Sequence, residues 1–263
     1  MARIYTLVNQ KGGVGKTTTA INLASYLGQH GQRVLLIDLD PQSNATSSVG
    51  LDKRLVKHGT YEALIGSEPL HPNIWHSPSF KFSLLPSSPS LAGAEIELID
   101  VPRREFRLRE MLQPVLDRFD YILIDCPPSL GLLTVNGLVA AQNGVLIPVQ
   151  CEYLALEGLG QLTQTISRIR ASIFPQLQVR GVILTMFDGR INLARGVVSE
   201  VRRVFPNLVF QAVIPRSTRL AEAPSYGQPI SVYAPESGAA QMYAALAAEI
   251  LTQDGFRLSE NKE

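Results

Sequence analysis

Apolar residues fall in short dense runs separated by longer stretches of mixed character. Ile4-Tyr5-Thr6-Leu7-Val8, Arg33-Val34-Leu35-Leu36-Ile37-Asp38, Asp120-Tyr121-Ile122-Leu123-Ile124-Asp125, Gly144-Val145-Leu146-Ile147-Pro148-Val149 and Val179 to Phe187 are apolar at consecutive positions rather than at alternate ones. A run of that kind predicts a strand covered on both faces, as parallel strands between two helix layers are. Between the runs the spacing changes to three and four. Leu108, Met111, Leu112, Val115 and Leu116 predict one amphipathic helix, and Leu156, Leu159, Leu162, Ile166 and Ile169 predict another with its stripe in the core. Further helices are expected from Lys16 to about Gln29, from Asn192 to Phe205, and over the alanine-rich stretch Glu236 to Leu251. Strands alternating with helices from end to end predict an α/β fold: a doubly wound, mostly parallel sheet with helices on both faces.

Residues 43–118 are less regular. Pro, Ser and Gly punctuate them at Gly66-Ser67-Glu68-Pro69 and Pro86-Ser87-Ser88-Pro89, with short strands expected only at Asn73-Ile74-Trp75 and Phe82-Ser83-Leu84-Leu85. The length of 263 residues suits a single domain over 1–263, with a polar tail at 253–263. Hydrophobic residues make up 45% and charged residues 18%, which excludes a disordered chain. No run approaches the ~18 consecutive apolar residues of a membrane span, and Met1-Ala2-Arg3 leads into a strand rather than a signal peptide. Cys126 and Cys151 have no metal-ligand spacing; both end apolar runs and are expected to be buried in a reducing, cytoplasmic compartment.

Chemistry concentrates first at Lys11-Gly12-Gly13-Val14-Gly15-Lys16-Thr17-Thr18, between the first strand and the first helix. Glycines let successive backbone N–H groups converge without Cβ obstruction, and the helix start adds its own unpaired N–H groups and positive dipole end. A phosphate chain fits there. Lys16 is placed to reach the β and γ oxygens and the Thr17 hydroxyl to ligate Mg2+, as in the Walker A pattern. The pattern is not met in full, because Gln10 stands where its first glycine belongs and a second lysine, Lys11, stands at the mouth of the loop.

Two strands close on acids. Asp38-Leu39-Asp40-Pro41-Gln42 falls at the carboxyl end of one, where open α/β sheets place ligands. Asp125, ending Ile122-Leu123-Ile124 and followed by Cys126-Pro127-Pro128-Ser129, has the Walker B form, in which the acid holds Mg2+ directly or through water. Pro127 to Leu133 then reads as a switch loop hinged at Gly131.

Basic charge collects later. The chain as a whole is nearly neutral at +1, yet Asp188 to Arg219 holds Arg190, Arg195, Arg202, Arg203, Arg216 and Arg219 against Asp188 and Glu200, a net of +4. Guanidinium forks suit phosphate oxygens, so the segment is a candidate nucleic-acid surface. For Arg202 and Arg203 a solvated helix face is an equal reading. The earlier group Arg103, Arg104, Arg107 and Arg109, interleaved with Glu105 and Glu110, reads as a solvated face.

Lys11 to Thr18 resembles the deviant Walker A motif of the ParA/MinD group of P-loop ATPases. With Asp38 to Gln42, Asp125 to Ser129, Leu184 to Arg190 and the run Ile214 to Gly227, nearly the whole chain is similar to the short chromosomal ParA proteins called Soj, which lack an N-terminal helix-turn-helix domain. The resemblance implies ATP and Mg2+ as cofactors, Lys11 reaching into a second subunit's site in an ATP-dependent homodimer, and Asp40 as the acid that positions or deprotonates the attacking water. It implies adenine contacts at Met186 and Pro215, a non-specific DNA surface using Arg190 and Arg219 with Arg216 and Arg195 beside them, and a ParB-type partner that stimulates hydrolysis. The expected role is segregation of a chromosome, plasmid or other cargo from the nucleoid. A MinD-like membrane-positioning ATPase is the alternative, though such a protein should finish in a basic amphipathic helix and this chain ends Ser259-Glu260-Asn261-Lys262-Glu263. An iron-sulfur carrier of the related group would need a Cys-x-x-Cys pair, which Cys126 and Cys151 do not supply.

Overall fold

The computed structural model describes residues 1–66, 69–70 and 73–256. Along the chain run β1 (Arg3–Leu7), α1 (Lys16–Gln29), β2 (Val34–Asp38), α2 (Asn44–Ser48), α3 (Thr60–Ile65), β3 (Trp75–Ser77), β4 (Phe82–Leu85), α4 (Leu91–Glu97), α5 (Arg107–Leu112), β5 (Tyr121–Asp125), α6 (Leu132–Ala140), β6 (Gly144–Gln150), α7 (Ala155–Ser172), β7 (Val179–Phe187), α8 (Asn192–Val204), β8 (Val209–Pro215), α9 (Thr218–Glu222), α10 (Ile230–Tyr233) and α11 (Gly238–Gln253). The strands form one sheet in the order β3-β4-β2-β5-β1-β6-β7-β8. Every pairing is parallel except β3 with β4.

Residue parity decides which layer each strand residue meets. Ile4, Leu35, Ile37, Ile122, Ile124, Val145 and Ile147 face a core built with α3 to α8. Tyr5, Leu7, Val34, Leu36, Tyr121, Leu123 and Leu146 face the other core, made with α1, α10 and α11. Both sets are needed, which is why the strands read as unbroken apolar runs. Leu123 and Ile124, on the central strand β5, are fully buried, and each contributes about 1.5–3 kcal/mol relative to exposure.

Several boundaries differ from the sequence pattern for local reasons. β3 begins at Trp75 rather than Asn73 and runs antiparallel to β4 as the sheet's edge. The predicted helix through Leu116 stops at Leu112 and tightens into a 3-10 turn over Gln113–Val115, because Pro114 has no N–H for the α ladder. β8 carries no dense apolar run, since Gln211 interrupts Val209-Phe210 and Ala212-Val213; its burial alternates, as suits a strand at the outer edge. Ser67 and Glu68, within one predicted loop, and residues 257–263 of the predicted tail lie outside the described residues.

The end of α11 is tied to the amino-terminal ends of the strands. Asp254, its side chain 4% exposed, accepts hydrogen bonds from Tyr5 Oη at 2.8 Å and Tyr121 Oη at 2.9 Å and pairs with Arg180 at 3.2 Å. Phe256 then lies 5.8 Å from the Tyr121 ring, with the Arg3 guanidinium over its face. Burial, with Asp254 adding, pushes the Tyr5 phenol up to about 12.

Candidate active site at the carboxyl ends of the strands

β1 ends at Leu7, and the loop to α1 turns back beneath the carboxyl ends of its neighbours. Gly13 and Gly15 take φ values of +75° and +88°, a left-handed backbone that favours glycine. The loop is pinned from behind: the Thr185 hydroxyl donates to Val14 O at 2.8 Å, Asn9 Nδ2 donates to Pro148 O at 2.7 Å, and Asn9 Oδ1 accepts from Lys11 N at 3.0 Å. Thus β6 and β7 fix a turn that belongs to β1.

Above the turn is a cavity of about 320 Å³ lined by Gly12, Gly13, Gly15, Lys16, Thr17, Thr18, Asp40, Asn44, Ser48, Pro128 and Met186. The phosphate loop, the acid predicted for water activation, and the loop after Asp125 therefore meet in one place. Lys16 is 7% exposed and its ammonium lies 3.4 Å from Lys11 O. Burial lowers its pKa, while the Asp125 and Asp40 charges oppose the shift.

Asp125 sits behind this cavity, in register with Asp38 across the β2–β5 pairing. Both carboxylates are fully buried. Asp38 is satisfied by Thr46, whose N and Oγ1 donate at 2.8 and 2.7 Å, and by Asp40 N at 3.3 Å. Neither oxygen of Asp125 has a hydrogen-bond partner. Burial first, and then repulsion from Asp38, pushes the Asp125 carboxyl up to about 8, with Thr17 and Lys16 pulling it part of the way back; burial likewise raises Asp38 to about 6. An orphaned buried carboxylate next to a threonine hydroxyl is a fit for a hard divalent cation, which would satisfy the oxygens and remove the proton.

A second cavity, about 230 Å³, opens on the other side of the loop. Gly15, Thr18, Thr185, Met186, Ile214, Pro215, Arg216, Ser217, Leu220, Ala221 and Tyr243 line it. Met186 and Pro215, expected near the base, are both there. Met186 holds φ +53°, unusual for a residue with a Cβ, and this re-aims the chain at the end of β7. Leu220 and Ala221 fall within the run Ile214 to Gly227 but were not expected at the base, and Tyr243, from α11, carries no motif. Tyr243 is placed by its hydroxyl, 3.2 Å from Thr19 Oγ1.

Lys11 points elsewhere. Its ammonium forms an ion pair with Glu152, and the two line a small cleft with Asn9, Val14 and Leu154 rather than the phosphate cavity. Gly131, the expected hinge, has an extended backbone with φ −71°, and a Cβ there would stand 2.1 Å from the Glu95 carboxylate of α4. The Glu95 carboxylate thus lies over the start of α6.

The arginines lie on exposed ground. Arg190 follows β7 and pairs with Asp188 at 2.7 Å; Arg219 on α9 pairs with Glu222 at 3.1 Å. Arg216 N donates to Phe187 O at 2.9 Å, which joins the loops after β7 and β8 and brings Arg190, Arg216 and Arg219 to one end of the sheet. Arg195 lies one turn into α8 and donates to Asn192 Oδ1. Arg203 pairs with Glu200 and Arg202 donates to Gln211 O, contacts of a solvated helix face. Among the described residues no helix is long and apolar enough to cross a membrane.

With this geometry in view, comparison with known proteins is decisive. A family model described as an AAA domain matches residues 2–179. The chain is 49% identical to the chromosome partitioning protein ParA of Myxococcus xanthus over 97% of its own length and 89% of the relative's. It is 48% identical to the sporulation initiation inhibitor protein Soj of Bacillus subtilis, covering 95% and 98% of the two chains. This chain belongs to the ParA/Soj family of chromosome-partitioning ATPases. Among solved structures it is similar to cobyrinic acid a,c-diamide synthase of Mycobacterium smegmatis with bound ADP and magnesium, at TM-score 0.85, 36% identity and 98% coverage of both chains. For a ParA/Soj chain the P-loop fold, the glycine loop and the paired acidic strand ends are thus the expected frame of a nucleotide site.

Proposed function

We propose that this partitioning ATPase binds Mg2+-ATP in the two adjoining cavities and uses the nucleotide to control a homodimer that grips DNA. The observation that carries the reading is Lys11: a lysine of the phosphate loop that does not line its own chain's phosphate cavity and stands exposed on the outer lip. A cation so placed is available to a phosphate on a second copy. The contact exists only while the γ-phosphate carries its charge, so dimer and triphosphate are linked, and hydrolysis removes the difference that favours the dimer.

Within one subunit, Lys16 and the N–H groups at the start of α1 hold the β and γ oxygens, and the apolar cavity at Met186 and Pro215 takes the base. Thr17 and Asp125 would hold Mg2+, which supplies charge neutralisation between the phosphates. Asp40, 5% exposed and lining the phosphate cavity, orients the attacking water.

Pairing two chains doubles the arginine surface at Arg190, Arg195, Arg216 and Arg219, turning two weak phosphate contacts into one bivalent footprint. The dimer then dwells on the nucleoid, and a ParB-type partner that speeds hydrolysis releases it. The decisive experiment measures mass in solution with ADP, with a non-hydrolysable ATP analogue and magnesium, and without nucleotide, followed by DNA retardation under the same three conditions. The reading expects a dimer and a retarded band with the analogue alone. A monomer throughout overturns it.

A further inference from the structure

Asp40 stands on a short loop after β2, and such a loop has many conformations unless something holds it. Within the loop Gln42 N–H donates to Asp40 Oδ1 at 2.9 Å and Ser43 N–H to Asp40 O at 2.8 Å, and further bonds come from the segment least legible in the sequence. Ser87, in the turn after β4, is fully buried; its hydroxyl donates to Asp40 O at 2.9 Å. Its N–H donates to Thr46 Oγ1 at 2.8 Å, and that same hydroxyl donates onward to Asp38 Oδ2 at 2.7 Å. Asp38 Oδ1 accepts from Asp40 N. Asp40 is therefore clamped at both its N–H and its carbonyl, and the two clamps are joined through Thr46.

The turn that carries Ser87 is itself braced. Thr60, at the start of α3, donates from its hydroxyl to Asp38 O at 2.8 Å and from its N–H to Pro86 O at 2.9 Å. Gly59 packs so closely on Pro86 that a Cβ there would lie 2.3 Å from Pro86 O. Thr46, Thr60 and Ser87 are all fully buried, and none of them lines the phosphate cavity. They act on Asp40 without facing the nucleotide.

We propose that Ser87, whose hydroxyl holds Asp40 O directly, and Thr46, which acts through Asp38 on Asp40 N, are positioning residues for Asp40, setting where its carboxylate meets the attacking water. The proposal rests on the reading of Asp40 given above. A misplacement of about 1 Å in a reacting group costs on the order of a hundredfold in rate, whereas phosphate and base contacts made by other loops are left alone. Loss of the clamp should therefore appear in the hydrolysis rate and not in nucleotide affinity.

The test compares Ser87→Ala, Thr46→Val, Thr46→Ser, Ser88→Ala and Asp40→Ala by single-turnover hydrolysis of Mg2+-ATP with duplex DNA present. Affinity for a fluorescent ATP analogue and thermal midpoint are measured alongside. Ser87→Ala and Thr46→Val are expected to lose about ten- to a hundredfold in rate with affinity within about twofold of the parent. Thr46→Ser keeps the relay hydroxyl and should retain the rate, as should Ser88→Ala in the same turn. If Asp40→Ala hydrolyses normally, the role of Asp40 fails and the inference with it. If Asp40→Ala is inactive while Ser87→Ala and Thr46→Val keep the parental rate, the positioning role alone is overturned. It is overturned equally if their losses track affinity or midpoint, or if Ser88→Ala and Thr46→Ser lose as much.

Discussion

Lys11 of the phosphate loop and Glu152 in the turn after β6 form an ion pair across the lip of the site, with side chains 46% and 36% exposed. The pair holds the lysine in its own subunit. If Lys11 serves a neighbouring copy, Glu152 competes with that copy's phosphate for the same ammonium.

Removing the competitor should favour the dimer. An exposed pair contributes about 0–1 kcal/mol and a symmetric dimer releases two of them, so Glu152→Gln is expected to tighten the analogue-bound dimer by up to about thirtyfold. Sedimentation equilibrium with a non-hydrolysable ATP analogue measures it. A weaker dimer in the variant would show that Glu152 makes an interface contact of its own.

If the arginine surface takes DNA, Arg190 faces the same kind of competition. Asp188 holds Arg190, and that pairing keeps the Asp188 carboxyl low, at about 2. Asp188→Asn frees the guanidinium and should strengthen retention of duplex DNA at low salt, while Arg219→Ala should weaken binding evenly across sequences and lower the dimer's salt slope by about two, one for each copy. Titrations at several salt concentrations decide both.

Ala221 lines the cavity shared by Met186 and Pro215. Filling it with Ala221→Phe overpacks the space assigned to the base, and a penalty of about 1–3 kcal/mol there lowers nucleotide affinity about five- to a hundred-and-fiftyfold. Calorimetric titration with ADP provides the measurement, and an unchanged affinity would place the base elsewhere.

Cys151 is 7% exposed, and burial pushes its thiol up to about 11. A raised thiol pKa means less thiolate at a given pH, about a thousandth at pH 8, so alkylation of the native protein should be slow and should accelerate roughly tenfold per pH unit. Timed iodoacetamide labelling followed by mass spectrometry tests this; rapid modification at pH 8 would contradict it.

What was legible in the sequence follows from how many constraints each segment carries. The strands that end at Leu7, Asp38 and Asp125 are covered on both faces, so their apolar runs could be read without tertiary information. The phosphate loop was legible because glycine, lysine and threonine must occur at fixed spacing along one stretch of chain. Thr46, Ser87 and Thr60 were invisible for the opposite reason: their hydrogen bonds span 41 and 26 residues of sequence, with partners that are backbone atoms as often as side chains. Glu152 and Tyr243 were hidden likewise, since an ion pair or an apolar wall leaves no periodicity. The arginine cluster was legible as charge, but its pairing with Asp188 and Glu222 was not.

The clasp at Asp254 should be a matter of stability alone. Its removal leaves Arg180 and two tyrosine hydroxyls without their shared acceptor, so Asp254→Ala is expected to cost about 3 kcal/mol in denaturant unfolding with nucleotide affinity unchanged.

That clasp also fixes Phe256. Phe256 is held beside Tyr121 and Arg3, at the end of the sheet away from Lys16 and Asp40. The clasp and the nucleotide site therefore occupy opposite ends of the same strands, so a probe attached beside the clasp leaves the phosphate loop untouched.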